Sequence, residues 1–263
     1  MPMIPFHIWL PQAHTEAPTG GSVILAAILL KLGTYGLMRF SLPLFPEASL
    51  YFTPLICVMA IIGVLYSCIS ALSLIDLKQI IAYSSIAHMN VSIIGLFSND
   101  LNGLTGSFLY SISHGFISAG LFLLVGVLYD RYHTRTLKYY RGLVLIMPIY
   151  ITTLFIFMLM NISFPGSLSF IAEMFIYISA ISLSPFVLLS VSLVGILLPI
   201  YLIWTYHKIS YGSLSLYFSS LAPDLTIKEF HLFLPLMTLT IIYGIWPHLI
   251  LDYIELPFMS LIY

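Results

Sequence analysis

Charged residues are scarce in this sequence: Asp, Glu, Lys and Arg make up 7% of its 263 residues, whereas hydrophobic residues make up 60%. A soluble domain typically contains about 25% charged residues, so this chain has too few to cover a globular surface in water. The formal net charge is −1, which gives no reason to expect nucleic acid as a partner. The shortage of charge therefore predicts a polytopic membrane protein.

Cysteine is also scarce, because Cys57 and Cys68 are the only two. They are eleven residues apart on one predicted helix, which separates them by roughly 16 Å and prevents a disulfide between them. Two cysteines cannot form an iron–sulfur or zinc ligand set, and no glycine-rich phosphate loop is present. No cleavable signal or transit peptide is visible. The sequence thus predicts no cofactor and no metal in this chain.

Long apolar runs are abundant instead, and runs of about 18 residues or more indicate membrane-spanning helices. Seven such runs follow a half-helix and polar elbow at residues 1–19, and residues 253–263 form a predicted C-terminal tail. The predicted fold is an all-α membrane bundle over residues 20–252. Its spans fall near residues 20–40, 52–74, 79–98, 104–129, 143–181, 186–206 and 231–252.

Two segments of the bundle are predicted to be interrupted. The fifth run is too long for one straight helix and carries Phe164-Pro165-Gly166 in its middle, where proline removes a backbone donor and glycine loosens the turn. The opening half-helix is predicted to break at Pro11 and again at Pro18. Interrupted helices in corresponding places are typical of transporters built from inverted repeats.

The basic residues predict the orientation, since cytoplasmic or matrix loops carry the excess of Lys and Arg. Counted over alternate loops, the positive side receives Lys78, Arg131, Arg135, Lys138, Arg141, Lys208 and Lys228. The opposite side receives Arg39 with Glu47, Asp100, Asp252 and Glu255. The longest polar stretches, Asp130–Arg141 and His207–Glu229, are predicted loops on the positive side.

Four predicted spans each carry one ionisable residue near the centre: Lys31, His88, His114 and Glu173. Lys31 lies on the order of 16 Å along its helix, near the middle of a hydrocarbon core of about 30 Å. Such residues are costly in a membrane and usually mark ion or proton pathways. Histidine changes charge near neutral pH, and burial brings lysine and carboxylic acids closer to the same change. The four residues are predicted to lie at a similar depth on different helices. They therefore predict proton transfer from helix to helix, parallel to the membrane plane.

Structural roles for these residues remain open alternatives. Either histidine can simply hydrogen-bond to a neighbouring helix. Lys31 can form a structural ion pair, and Glu173 can accept hydrogen bonds from backbone donors freed by the broken helix.

The polar elbow provides candidates for proton uptake from the positive side, namely His7, His14 and Glu16. His14 can equally serve as a capping or loop residue. Asp76 and Lys78 stand at a predicted helix start, where Asp76 favours the positive end of the helix dipole and a structural role is expected.

Four stretches of the sequence are specific enough to be compared with known families: PFHIWLPQAHTEAPTGGSVILAAILLKLGTYG, IDLKQIIAYSSIAHMN, SHGFISAGLFLLVGVLYDRYHTR and FIAEMF. They resemble the antiporter-like subunits of respiratory complex I, the proton-pumping NADH:ubiquinone oxidoreductase. The resemblance extends from Pro2 to about Asp252. Within this family, sister subunits usually carry a lysine at the position of Glu173.

The resemblance implies an antiporter-like inverted-repeat fold in a mitochondrial inner membrane, with a bacterial plasma membrane as the alternative. It implies that Lys31 is the central lysine of a proton relay, that His88 and His114 connect it, and that Glu173 is the terminal acidic group. NADH, FMN, iron–sulfur clusters and ubiquinone would belong to other subunits. The implied partners are the other membrane-arm subunits of complex I, including a separate N-terminal half of the same subunit, together with membrane lipids and protons.

One departure from the family concerns the partners of Lys31. The family normally has another lysine just before the Met-Pro of the first two residues, and a paired glutamate on an earlier helix. The chain is therefore expected to correspond to the C-terminal half of such a subunit. A separate polypeptide as the front half is the favoured explanation, and a truncated sequence is the alternative.

Two other functions remain possible. The chain could be a subunit of a cation/proton antiporter or a membrane-bound hydrogenase, or a structural half-module that only fills the membrane arm.

Overall fold

The protein is described here from a computed structural model that covers residues 2–214 and 223–262. Residues 215–222 of the predicted polar loop His207–Glu229 lie outside this description. The described residues form helices and no strand, which confirms the all-α prediction. In chain order the main helices are α1 (Trp9–Glu16), α2 (Thr19–Leu44), α3 (Pro46–Ser73), α4 (Leu77–Leu96), α5 (Leu101–Tyr132), α6 (Pro148–Asn161), α7 (Leu168–Leu183), α8 (Pro185–Ser210), α9 (Ile227–Ile245) and α10 (His248–Ile262).

Helices α4 and α5 form the centre of the bundle. Nearly every side chain of α4 is buried, including its polar ones. Helix α4 packs between α3 and α5, and α5 in turn packs against α7. The outer helices α2, α3 and α8 expose many large apolar side chains, as expected for surfaces that face lipid or other subunits. Polar groups on α4 and α5 are therefore enclosed by helices on several sides.

Helix starts follow local sequence signals. At α8, the Ser184 hydroxyl accepts from the Val187 backbone N–H at 3.2 Å, and Pro185 occupies the first turn, where its missing N–H has no helical partner. At α9, Thr226 and Glu229 form a reciprocal capping box, which satisfies two backbone donors.

The predicted break near Pro165-Gly166 is confirmed, because α6 ends at Asn161 and α7 begins at Leu168. Gly166 has φ +98°, a conformation that favours glycine. The Ser169 hydroxyl donates to the Met160 carbonyl at 2.7 Å. Serine side chains thus satisfy backbone groups that the broken helix leaves free, which non-helical backbone at membrane depth requires.

The C-terminal segment differs from the prediction. The last predicted span, 231–252, is divided at Trp246–Pro247, and α9 and α10 meet at a bend of 72°. Proline at position 247 cannot donate to the preceding turn, so α9 stops and a new helix begins. Residues 253–262, predicted as a tail, belong to α10.

The number of spans stays a prediction. By length and composition, five described helices can cross a membrane, namely α2, α3, α4, α5 and α8, and the bent pair α9–α10 would make a sixth. Helices α6 and α7 are shorter apolar helices on either side of the break.

Polar contacts on the predicted positive side join α5, α6 and α9. Arg131 at the end of α5 donates to the Glu229 carboxylate at 2.7 Å and to the Asp224 carbonyl at 3.1 Å. The Asp224 carboxylate accepts from two backbone N–H groups in the first turn of α6, at 2.8 and 3.0 Å. Arg131 is about one-tenth exposed, so this charge depends on its partners.

Replacing Arg131 by alanine should destabilise the helix ends by about 1–3 kcal/mol, because a partly buried charged hydrogen bond is lost. The measurement is thermal unfolding of the purified complex that contains the chain. Lys228→Ala is the matched control, since Lys228 is exposed and next to Glu229. Equal midpoints for the two variants would show that the Arg131 contacts contribute nothing.

Candidate functional site

Lys31 lies in α2 directly after a π-helical turn, Leu25–Leu29. Its ammonium group folds back along the helix and donates to the Ala26 carbonyl at 2.5 Å, in the direction that helical side chains favour. The same group lies 2.6 Å from Nδ1 of His114 on α5. Among the described residues no carboxylate lies within ion-pair distance of Lys31. The π turn is a helix irregularity frequently found at functional sites.

His114 and His88 continue the contact into the centre of the bundle. Both side chains are buried, and their ring centroids lie 5.3 Å apart. Nδ1 of His88 also lies 2.5 Å from the Tyr110 hydroxyl. Tyr110 and His114 are four residues apart on α5, so they share one face of the helix. The His88 ring therefore contacts two residues of that face, and three of the four predicted relay residues form one connected group.

Glu173 is buried on α7 and separate from this group. Its carboxyl group accepts a hydrogen bond from the Tyr177 hydroxyl, and the Ser163 side chain lies within interaction range of it. Gly195 on α8 faces the same carboxylate, since a Cβ there would lie 3.8 Å from Oε1. The contact found for the Glu173 carboxyl group among the described residues is thus with a side chain.

The predicted uptake residues lie in different surroundings. His14 is fully buried and stacked on Phe122, with ring centroids 4.5 Å apart, and neither ring nitrogen has a partner among the described residues. His7 is buried with its ring edge against Tyr66 at 5.1 Å. Glu16 is exposed. His14 thus has unused donor and acceptor capacity, whereas Glu16 contacts solvent or a neighbour.

The elbow after α1 is closed by two cations. Lys78 donates to the Ala17 carbonyl at 2.8 Å, and Arg135 donates to the Thr15 carbonyl. Cations at the carboxyl end of a helix satisfy its free carbonyls and its dipole. Lys78 is 1% exposed and lies in the first turn of α4, in agreement with the predicted helix start. It also lies within electrostatic range of His14.

Sequence reasoning missed Tyr110, Ser163 and Tyr177. All three contact a predicted relay residue or lie next to one. The available signal was spacing: Tyr110 is one helical turn before His114, and Tyr177 is one turn after Glu173. Ser163 stands in the predicted break, where polar groups at membrane depth need partners.

Gly115 gives Lys31 its space on α5. A Cβ at this position would lie 3.2 Å from the Ala27 carbonyl oxygen and 3.7 Å from Cε of Lys31. Gly115→Ala should therefore push α2 outward and lower the proton-transfer rate about threefold, equivalent to roughly 0.6 kcal/mol in the barrier. Gly36→Ala on the same helix as Lys31 is the control, because nothing lies within 4 Å of its added Cβ. The rates of both variants are measured as proton uptake into vesicles. A wild-type rate for Gly115→Ala would contradict the prediction.

The site contains no arrangement typical of a metal centre. Among the described residues, no group of three or more His, Cys, Asp or Glu side chains converges on one point. Its lysine, imidazole, phenol and carboxyl groups can instead donate and accept protons. The arrangement is therefore suited to proton transfer within the membrane.

Comparison with known proteins assigns the family. Residues 1–199 match the family described as NADH:quinone oxidoreductase/Mrp antiporter, transmembrane. The chain is 47% identical over 262 residues to NADH-ubiquinone oxidoreductase chain 4 of Chondrus crispus, covering 100% of this chain and 53% of that protein. The chain spans about half the length of the curated relatives it matches.

Solved structures agree with the fold. A chain in the structure of respiratory complex I from Thermus thermophilus with bound NADH superposes with a TM-score of 0.91 at 28% identity, covering 99% of this chain and 55% of that one. A chain of the Mrp complex from Dietzia sp. DQ12-45-1b gives 0.90 at 17% identity, covering 99% of this chain and 56% of that one; this identity supports the fold alone. The bundle is thus of the antiporter-like type, and the chain belongs to the NADH:quinone oxidoreductase/Mrp antiporter transmembrane family.

Proposed function

We propose that the chain is the C-terminal half of chain 4 of proton-pumping NADH:ubiquinone oxidoreductase and carries part of one proton pathway in a mitochondrial inner membrane. One observation carries the proposal: Lys31, His114 and His88 form a connected group of ionisable side chains inside an apolar bundle. Placing ionisable side chains inside a membrane costs free energy, so their presence there favours a transport role. The identity to eukaryotic chain 4 proteins supports the choice of complex and membrane over a bacterial plasma membrane.

In this function the protons move laterally between helices. Lys31 accepts a proton and passes it to His114 over the 2.6 Å contact. His114 passes it to the adjacent imidazole of His88, and Glu173 receives it at the far end. His14 is the favoured uptake residue because it is buried, lacks partners and lies within electrostatic range of Lys31. His7 is a second candidate, and the exposed Glu16 is the outermost one.

The remaining functions belong to other chains of the complex. NADH, FMN, iron–sulfur clusters and ubiquinone are bound by other subunits, and this chain contributes no redox centre. The partners are the membrane-arm subunits, lipids and the remaining half of chain 4, which supplies the lysine and glutamate that the family places before Lys31.

The test is to purify the membrane complex that contains this chain and to identify its polypeptides by mass spectrometry. We expect the subunits of an NADH:ubiquinone oxidoreductase and NADH-driven proton uptake into vesicles. The same inventory identifies the polypeptide that contains the first half of chain 4. A complex without NADH oxidation would refute the assignment.

A cation/proton antiporter is the second candidate, because the matching family is described as including Mrp antiporters as well as NADH:quinone oxidoreductases. Na⁺ transport driven by a proton gradient, without NADH oxidation, would favour it. A membrane-bound hydrogenase subunit would instead co-purify with hydrogen-evolving activity. The position of Glu173 favours complex I over both.

A further inference from the structure

The connected group ends at His88, and the described contacts leave an interval between its imidazole and the Glu173 carboxylate. Two hydroxyl groups occupy this interval. Tyr110 contacts His88 on one side, with 2.5 Å between the hydroxyl and Nδ1. Ser163, in the break between α6 and α7, lies within interaction range of both Tyr110 and Glu173. The two hydroxyl groups are therefore the protonatable groups nearest to this interval.

We propose that Tyr110 and Ser163 form a hydroxyl bridge that carries protons from His88 to Glu173. This inference rests on the proposed function and adds two residues to it. A hydroxyl group both donates and accepts a hydrogen bond, so it can pass a proton on without a lasting change in its own charge.

The transfer balances at each atom. The His88 imidazolium releases its proton to the Tyr110 oxygen while the original Tyr110 proton moves to the Ser163 oxygen. The original Ser163 proton moves to a carboxylate oxygen of Glu173. His88 ends neutral, Glu173 ends as a carboxylic acid, and both hydroxyl groups are restored. Rotation of the two hydroxyls then resets the bridge for the next proton.

The surroundings of Tyr110 favour this role. Its side chain is 1% exposed, so bulk water does not offer an alternative path at this point. It lies on the same face of α5 as His114, four residues away, and its ring centroid is 5.3 Å from that of His88. The hydroxyl is therefore held at the His88 end of the interval.

The backbone of Ser163 supplies an independent observation. Ser163 has φ +62°, a left-handed conformation that is unfavourable for residues other than glycine, asparagine and aspartate. Such conformations persist only where the surrounding structure holds them, and they are frequent at functional sites. Here the break between α6 and α7 holds the serine hydroxyl beside Glu173, where a continuous helix would place it elsewhere.

A structural tyrosine elsewhere in the bundle provides the matched control. Tyr150 is fully buried, and its hydroxyl donates to the Leu124 carbonyl of α5 at 3.2 Å. Tyr150→Phe and Tyr110→Phe each remove one buried hydroxyl that contacts α4 or α5. Loss of a purely structural hydrogen bond should affect both variants alike.

The experiment measures NADH-driven proton uptake by the whole purified complex in vesicles, in H₂O and in D₂O. We expect Tyr110→Phe to lower the rate about tenfold, less than loss of a full acid–base group because water can partly replace a hydroxyl. The ratio of rates in H₂O and D₂O should rise, since proton transfer through the gap becomes limiting. Tyr150→Phe should leave this ratio unchanged. Normal uptake with Tyr110→Phe would overturn the bridge.

Ser163 provides a second variant if Tyr110→Phe does not assemble. Ser163→Gly removes the hydroxyl and suits the left-handed φ, so it should assemble and show a similar fall in rate. Ser163→Asn also tolerates this φ and restores a polar group, and should recover part of the rate. Wild-type uptake with Ser163→Gly overturns the bridge.

Lys31→Ala separates failure of the bridge from failure of the proposed function. If Lys31→Ala stops proton uptake and Tyr110→Phe and Ser163→Gly do not, only the bridge fails. If Lys31→Ala also pumps normally, the proton pathway and its bridge fail together.

Discussion

Proton uptake by the assembled complex should fall about a hundredfold when Lys31 is replaced by alanine, within the range that a positioned acid–base group contributes. Lys31 contacts His114 at 2.6 Å and the Ala26 carbonyl at 2.5 Å. Alanine leaves the imidazole without its proton donor and opens a gap that proton transfer cannot cross directly. The measurement is NADH-driven proton uptake into vesicles containing the purified complex.

Assembly must be measured in the same preparation. NADH oxidation by a soluble artificial acceptor should stay at the wild-type level, because it needs no proton pathway. Lys138→Ala is the control, since Lys138 is an exposed lysine on the predicted positive side. If Lys31→Ala assembles and pumps at the wild-type rate, the chain is a structural half-module of the membrane arm.

The residues of the candidate site were predictable because charge is so rare in this sequence. With 7% charged residues, an ionisable side chain inside an apolar run is conspicuous, and its cost indicates a function. Lys31, His88, His114 and Glu173 all met that criterion. Their order in space was not predictable, because it depends on how four helices pack and turn about their axes.

Tyr110 and Ser163 were missed for a different reason. The sequence contains 18 tyrosines, and serine and tyrosine are tolerated in membrane helices as ordinary packing residues. Neither type is conspicuous in an apolar run. Their importance depends on contacts with residues 22 and 10 positions away, namely His88 and Glu173, which only the tertiary structure provides.

The prolines illustrate how position decides the effect of a residue. The predicted break at Pro165 was confirmed, whereas the predicted break at Pro11 was wrong because Pro11 lies in the first turn of α1. A missing N–H has no helical partner to lose in that turn. At Pro18 the chain is extended, with ψ 163°, as predicted for the elbow.

Lys78 illustrates a limit of counting charges. It was predicted at a helix start and lies in the first turn of α4, but the count included it with the loops of the positive side. Its side chain is buried and donates to the Ala17 carbonyl just after α1, a contact between residues 61 positions apart in the sequence. The predicted orientation stays the same when Lys78 is left out of the count, because six other basic residues remain on the positive side.

Glu173→Gln should also lower proton uptake about a hundredfold, since glutamine keeps the shape of the side chain but cannot carry a proton as an acid. The amide can still accept the hydrogen bond from Tyr177, and Ser163 remains beside it. The variant therefore removes the terminal acid–base group with little change in packing, and the complex should assemble normally.

Glu47→Gln makes the same chemical change at an exposed position and should leave uptake unchanged. Tyr177→Phe removes a neighbour of Glu173 without removing the carboxyl group, so its rate should lie between those of Glu173→Gln and the wild type. A wild-type rate for Glu173→Gln would mean that protons leave the relay before α7, and that His88 is the last residue of this chain to carry them.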